Sequence, residues 1–94
     1  MLLLPANVTA LEAVDARRML TQALKAEAGP TVVVDASNLA QFDSAALAVL
    51  LECHRVAEAG GKPFELRNVP AKLAALAHLY GVDTLLLTSK PAVA

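Results

Sequence analysis

Residues 31–36, TVVVDA, are the feature of this sequence that most constrains the fold. Three consecutive valines show no polar–apolar alternation, and Asp35 closes the run. A short β-branched run without alternation is typical of a strand covered on both faces, as in a parallel sheet between helices. We therefore expect this strand to lie inside an α/β fold.

Helical patterns lie on both sides of this strand. The first helix is predicted over about residues 10–28, and Thr9 and Glu12 form a capping box in front of it. The second is predicted over about residues 44–59 and the third over about residues 70–81, each ending at glycine. These lengths fit helices that cover a sheet.

Three further segments are predicted to be strands. They are a short edge strand within residues 1–9, PFELRN at residues 63–68 and VDTLLLTS at residues 82–89, before a tail at 88–94. The order β-α-β-α-β-α-β with short connections requires parallel strands joined by right-handed crossovers. We expect residues 1–94 to form one α/β domain with about four mainly parallel strands and about three helices.

Charge and hydropathy exclude several classes of protein. The net charge is -1, from 8 basic and 9 acidic residues that are interspersed, so no nucleic-acid partner is expected. Hydrophobic residues make up 56% of the chain, yet no apolar run approaches the roughly 18–20 residues of a membrane span. We expect a cytoplasmic protein without direct membrane insertion.

Catalytic and metal-binding patterns are not found. Cys53 and His54 are adjacent on a helix and point in different directions, and His54 and His78 lack metal-ligand spacing. Asp35, Ser37 and Asp43 lie around one loop at the carboxyl end of a strand, where α/β sheets bind ligands, so nucleotide binding stays open as an alternative. We expect no enzymatic activity, no metal and no cofactor.

The second predicted helix is apolar on two sides. Leu47 and Leu51 lie about 120° from the stripe assigned to the sheet, beside Ala48 and Arg55. Leaving a leucine side chain exposed forgoes about 1.5–3 kcal/mol of stabilisation relative to burying it, so two exposed leucines indicate a partner surface. Alternatively, a small rotation of the helix would bury both leucines at the edge of the sheet. The sheet stripe is Ala46, Val49, Leu50, Cys53, Val56 and Ala57. The predicted partner-binding residues are Asp43, Ser44, Leu47, Ala48, Leu51, His54 and Arg55.

Ser44 stands at the start of this helix and has two interpretations. As an N-cap it would contribute about 1 kcal/mol, and Asp43 could do the same. As a phosphate acceptor it would place an anion at a helix N-terminus, which favours negative charge. A phosphate beside Asp43 would then change the partner surface while the fold survives.

The segment from Val32 to Leu87 resembles the STAS domain. The resemblance is carried by the strand ending at Asp35, by Leu39, by the FDS of residues 42–44 and by the leucine-rich helix. The later segment AKLAALAHLYGV is most similar to the MlaB branch, a subunit of the bacterial Mla phospholipid transporter.

This resemblance implies a function and an alternative. The MlaB branch implies a non-catalytic adaptor that binds and regulates the ATPase subunit of a phospholipid-transport ABC transporter through the helix starting at Ser44. Such an adaptor would be held at the inner face of the membrane by the transporter. The STAS family also includes anti-sigma factor antagonists. Resemblance to that branch implies instead an anti-sigma factor antagonist that is regulated when a kinase-type anti-sigma factor phosphorylates Ser44.

Two departures from the family pattern affect these expectations. The family commonly has glycine where this chain has Ala46, and a methyl group there would crowd the approach of a kinase or partner. The family also opens with a β-hairpin, whereas this chain begins at the second strand of that pair, so we expect a shortened N-terminal hairpin.

Overall fold

The structure, a computed structural model, describes residues 2–26 and 29–86. It confirms an α/β fold, and all of its paired strands are parallel. The elements in chain order are β1 (Leu2–Leu3), β2 (Asn7–Val8), α1 (Ala13–Ala26), β3 (Val32–Asp35), β4 (Gln41–Phe42), α2 (Ser44–Ala59), β5 (Phe64–Arg67), α3 (Ala71–Leu79) and α4 (Asp83–Leu86).

The described strands form two sheets. The larger has the order β1-β3-β5, with Val34 of the central strand in register between Leu2 and Leu66. In the smaller sheet, β2 pairs with β4. The predicted edge strand within residues 1–9 is therefore divided, since β1 lies at the edge of the larger sheet and β2 joins the other one.

Burial alternates along β3, contrary to expectation. Val32 and Val34 are fully buried, whereas Val33 between them is only partly buried. Right-handed crossovers from β1 to β3 and from β3 to β5 place α1 and α2 on the same face of the sheet, where they pack side by side. The prediction of full cover on both faces is therefore wrong for the residues that the structure describes.

The helix α1 begins three residues later than predicted because its capping turn occupies those positions. The Thr9 backbone N–H donates to Glu12 Oε1 at 2.9 Å, and the Glu12 backbone N–H donates to the Thr9 carbonyl at 3.1 Å. The capping contact from Glu12 is thus confirmed. The predicted end of this helix at residue 28 lies outside the described residues.

The segment Asp83–Leu86 is a helix, so the predicted last strand is wrong over these residues. Periodicity cannot distinguish a strand from a buried helical turn in so short an apolar run. Gly81 has a φ of 73° and redirects the chain, and the Leu86 backbone N–H donates to the Val82 carbonyl at 3.1 Å. The rest of that predicted strand and the tail, residues 87–94, lie outside the described residues.

The core lies between the larger sheet and the helices, with α2 at its centre. Leu50 and Cys53 of α2 are 0% exposed, and α1 and α3 each contribute a fully buried leucine, Leu20 and Leu73. In α2 the sequence-predicted bounds are confirmed, as is the burial of most of its sheet-facing stripe. No helix within residues 2–26 and 29–86 is long and apolar enough to cross a membrane.

Candidate partner-binding surface

Asp43 joins the N-termini of the two central helices. Its Oδ1 accepts a hydrogen bond from the Ala45 backbone N–H at 2.8 Å, and its Oδ2 accepts one from the Ala10 backbone N–H at 3.3 Å. Asp43 has an extended backbone and is the N-cap of α2, whereas Ser44 is the first residue of the helix and is exposed. The prediction that Ser44 caps this helix is therefore wrong, and its hydroxyl is not needed for that role.

Asp43→Ala should destabilise the domain by about 1–2 kcal/mol, because it leaves backbone donors of two helix starts without their acceptor. Urea unfolding followed by circular dichroism measures the change. Ser44→Ala is the matched control and should change the free energy of unfolding by less than about 0.5 kcal/mol. Equal losses in the two variants would contradict the assignment of the cap to Asp43.

Leu47 does not face solvent. It is 3% exposed, and Leu51 one turn later is partly buried. The side of α2 that carries both leucines is adjoined by Tyr80 and Val82, in the turn between α3 and α4. The predicted exposure of Leu47 is wrong because this turn approaches that side of the helix; Tyr80 was expected to belong to the third helix and Val82 to the last strand.

A shallow groove of about 270 Å³ remains between α2 and this turn, and we name it the α2 groove. Ser44 and Ala48 contribute its exposed helical wall. Tyr80 contributes the opposite wall and is 58% exposed. The α2 groove is lined by Ser44, Leu47, Ala48, Leu51, Tyr80 and Val82. Four of the seven predicted partner-binding residues are thus brought together in one concave apolar site.

Further apolar side chains extend the exposed surface around the turn. Leu79, at the end of α3, is 77% exposed, and Leu85, within α4, is 51% exposed. Leu79 and Tyr80 were not among the predicted partner-binding residues. Their signal in the sequence was two large side chains directly before Gly81, the glycine at which the helix ends and the chain turns.

His54 and Arg55, the last two predicted partner-binding residues, differ in their surroundings. The His54 ring meets the Phe64 ring edge-on, with centroids 5.5 Å apart, so it is partly buried towards β5. Arg55 is exposed and forms a bidentate pair with Glu52. Only Arg55 therefore lies on the same exposed face of α2 as Ser44 and Ala48.

Ala46 does not obstruct the surface. It is 1% exposed and belongs to the sheet-facing stripe of α2. The expectation that its methyl group crowds an approaching kinase or partner is therefore wrong. Replacing the family's glycine by alanine at this position adds volume to the core rather than to the exposed face.

Asp35 forms a polar link between the loops that follow β3 and β5. Its Oδ1 accepts a hydrogen bond from the Ser37 backbone N–H at 2.8 Å, and its Oδ2 accepts one from the Asn68 side-chain amide at 3.0 Å. Asn68 has a φ of 55°, in the left-handed region that asparagine tolerates. The hydrogen bonds from Ser37, followed by that from Asn68, lower the pKa of Asp35. Both carboxylate oxygens are engaged within the protein, which favours a structural role over nucleotide binding.

This link predicts a pH dependence of stability. Because the pKa of folded Asp35 is lowered, its contribution is present above the unfolded pKa of about 3.9 and is lost as pH falls through the folded value. We therefore expect the free energy of unfolding, measured in urea, to fall more steeply as pH is lowered from about 5 to about 2 in the natural protein than in Asp35→Asn. Identical slopes would contradict the role of Asp35.

The structure offers no catalytic group at Cys53. Its thiol is 0% exposed, and burial raises its pKa to about 12. His78 instead lies beside Asp83, with Nδ1 2.9 Å from Oδ2. Within the described residues no group of three or more histidine, cysteine, aspartate or glutamate side chains could hold a metal ion.

Comparison with known proteins identifies a family for this chain. A family model described as "Mlab, STAS domain" matches residues 4–88, which is nearly the whole chain. The matched region includes Asp43, Ser44 and every residue that lines the α2 groove. No curated protein matches the chain.

Proposed function

This chain belongs to the STAS domain family, and we propose that it is a non-catalytic adaptor. In this proposal it binds and regulates the ATPase subunit of a phospholipid-transport ABC transporter. The family's domains are generally regulatory or adaptor domains that mediate protein–protein interactions. The transporter would then hold the protein at the inner face of the membrane.

The observation that carries the proposal is the α2 groove. Small side chains, Ser44 and Ala48, allow a partner to approach the backbone of α2, while Leu51 and Tyr80 offer apolar surface on either side. Partly exposed apolar surface in a concave site is typical of a protein interface. We infer that an apolar side chain of the ATPase subunit enters the groove as an anchor.

The test is a pull-down with the tagged chain from its native host, followed by mass spectrometry. Recovery of an ABC ATPase subunit by the natural chain, and its loss with Ala48→Arg, would support the adaptor. Recovery that is unaffected by Ala48→Arg would overturn the site. Absence of any ABC ATPase subunit would overturn the proposed function.

The exposure of Ser44 favours a second candidate, an anti-sigma factor antagonist regulated by phosphorylation. Ser44 lies at the N-terminus of α2, where a phosphate would be favoured by the helix dipole. Because Asp43 provides the cap, modification of Ser44 would leave that contact in place. A phosphate here would add about two negative charges at the mouth of the α2 groove.

The same pull-down separates the two candidates when the Ser44 peptide is included in the mass spectrometry. The second candidate requires a kinase-like partner and a phosphate on Ser44. Incubation with that partner and ATP should add one phosphate to the natural chain and none to Ser44→Ala. An ABC ATPase partner with unmodified Ser44 would reject this candidate.

A further inference from the structure

A cluster of two arginines and one glutamate lies beyond the α2 groove. Arg55 follows Ala48 by seven residues on the exposed side of α2, which is about 10 Å along the helix. The Arg55 side chain donates from Nε to Glu52 Oε1 at 3.1 Å and from Nη2 to Glu52 Oε2 at 2.5 Å. This is the planar, two-bond geometry that holds an arginine side chain in one orientation.

The second arginine comes from α1. Asp43 ties the starts of α1 and α2 together and the two helices pack against each other, so the exposed Arg17 of α1 lies within electrostatic range of Glu52. Hydrogen bonding to Arg55, and then the charges of Arg55 and Arg17, lower the pKa of Glu52. We name Arg17, Glu52 and Arg55 the arginine cluster, and its formal charge is one positive unit.

The arginine cluster is suited to bind a carboxylate. A guanidinium group has five N–H donors, and Arg55 uses two of its own for Glu52, so others can serve a partner. Because Glu52 already orients Arg55, a partner's carboxylate meets a side chain that loses little further freedom. Exposed ion pairs contribute only about 0–1 kcal/mol, so redistribution of the Arg55 bonds on binding costs little.

We infer that the arginine cluster recognises a carboxylate on the partner, about 10 Å from the apolar anchor in the α2 groove. The inference rests on the proposed function and adds to it the chemistry of the partner. An aspartate or glutamate two turns from an apolar residue, on one side of a partner helix, satisfies both sites at once.

The surroundings favour a protein carboxylate over an anionic membrane surface. Asp15 lies 3.7 Å from Arg18 on the neighbouring part of α1, and Glu58 follows Arg55 by one turn. These carboxylates keep the face close to neutral, whereas adsorption to anionic lipid requires a cluster of several uncompensated basic residues. One oriented guanidinium beside an apolar groove fits a single carboxylate.

The test measures the affinity of the purified ABC ATPase subunit from the pull-down for variants that retain the natural melting temperature. Arg55→Glu should raise Kd about tenfold at about 0.1 M salt, and less at about 0.5 M salt, because ions screen the contact. Arg67→Glu is the matched control, since Arg67 forms a similar exposed pair with Glu65 at 2.6 Å on the sheet. Its Kd should stay within about twofold of the natural value.

Glu52→Ala distinguishes an oriented arginine from simple charge attraction. It raises the local positive charge, so attraction alone predicts tighter binding, whereas loss of the orienting carboxylate predicts a Kd increased by about threefold or more. Tighter or unchanged binding would overturn the inference, as would equal effects of Arg55→Glu and Arg67→Glu. If Ala48→Arg abolishes binding while Arg55→Glu does not change it, the proposed function survives and this inference fails. If neither variant changes binding, the α2 groove is not the binding site and this inference fails with it, while the proposed function fails only if the pull-down recovers no ABC ATPase subunit.

Discussion

Leu47→Asp should strongly destabilise the domain rather than only remove a partner. Leu47 is 3% exposed, so the substitution buries a carboxylate without a partner and leaves a cavity. We expect a loss of about 4 kcal/mol or more, against a total free energy of unfolding of about 5–14 kcal/mol for 94 residues. Urea unfolding and the thermal midpoint measure this loss.

Leu79→Asp is the matched control for this prediction. It is the same substitution in a helical leucine, but Leu79 is 77% exposed. Its loss should stay below about 1 kcal/mol. If the two variants lose equal stability, the buried position of Leu47 is contradicted, and the prediction from sequence that Leu47 is exposed and contacts a partner is supported instead.

Ala48→Arg should leave the fold intact and raise Kd for the ABC ATPase subunit by about 100-fold or more. Ala48 is exposed in the second turn of α2, and arginine is a good helix former, so the stability should change little. A long charged side chain at that position would fill the mouth of the α2 groove and exclude an apolar anchor. Biolayer interferometry or calorimetry with the purified subunit measures Kd.

Ala59→Arg provides the control on the same helix. Ala59 is exposed in the last turn of α2, about 16 Å from Ala48 along the axis, and a basic residue is favoured there by the helix dipole. We expect normal binding and normal stability for this variant. Reduced binding by both variants to the same extent would indicate a general effect of charge rather than a specific groove.

Much of this fold could be predicted because its signals are local in the sequence. The α2 bounds at Ser44 and Ala59 follow from a polar residue before an apolar run and from glycine after it. The capping contact between Thr9 and Glu12 needs only three residues of separation. The parallel sheet follows from short connections between alternating strands and helices, because few topologies are compatible with that order.

The errors arose where two distant segments meet. The segment at residues 83–86 is too short for its periodicity to distinguish a strand from a helical turn. It forms a helix that packs against α2 and β5. Leu47 was expected to be exposed because helical geometry alone leaves it off the main stripe. Its burial depends on a turn more than thirty residues later in the chain.

The sequence by itself determined the family, the α/β order and the bounds of α2, and it indicated the general location of the proposed partner surface, because these signals lie in local patterns and in their order along the chain. Only the tertiary structure decided which residues of that surface are accessible. It placed Leu47 inside, added Tyr80 as the opposite wall and assigned the helix cap to Asp43 instead of Ser44. The physical reason is that exposure and capping depend on what packs across the helix, and those neighbours come from α1 and from the α3–α4 turn.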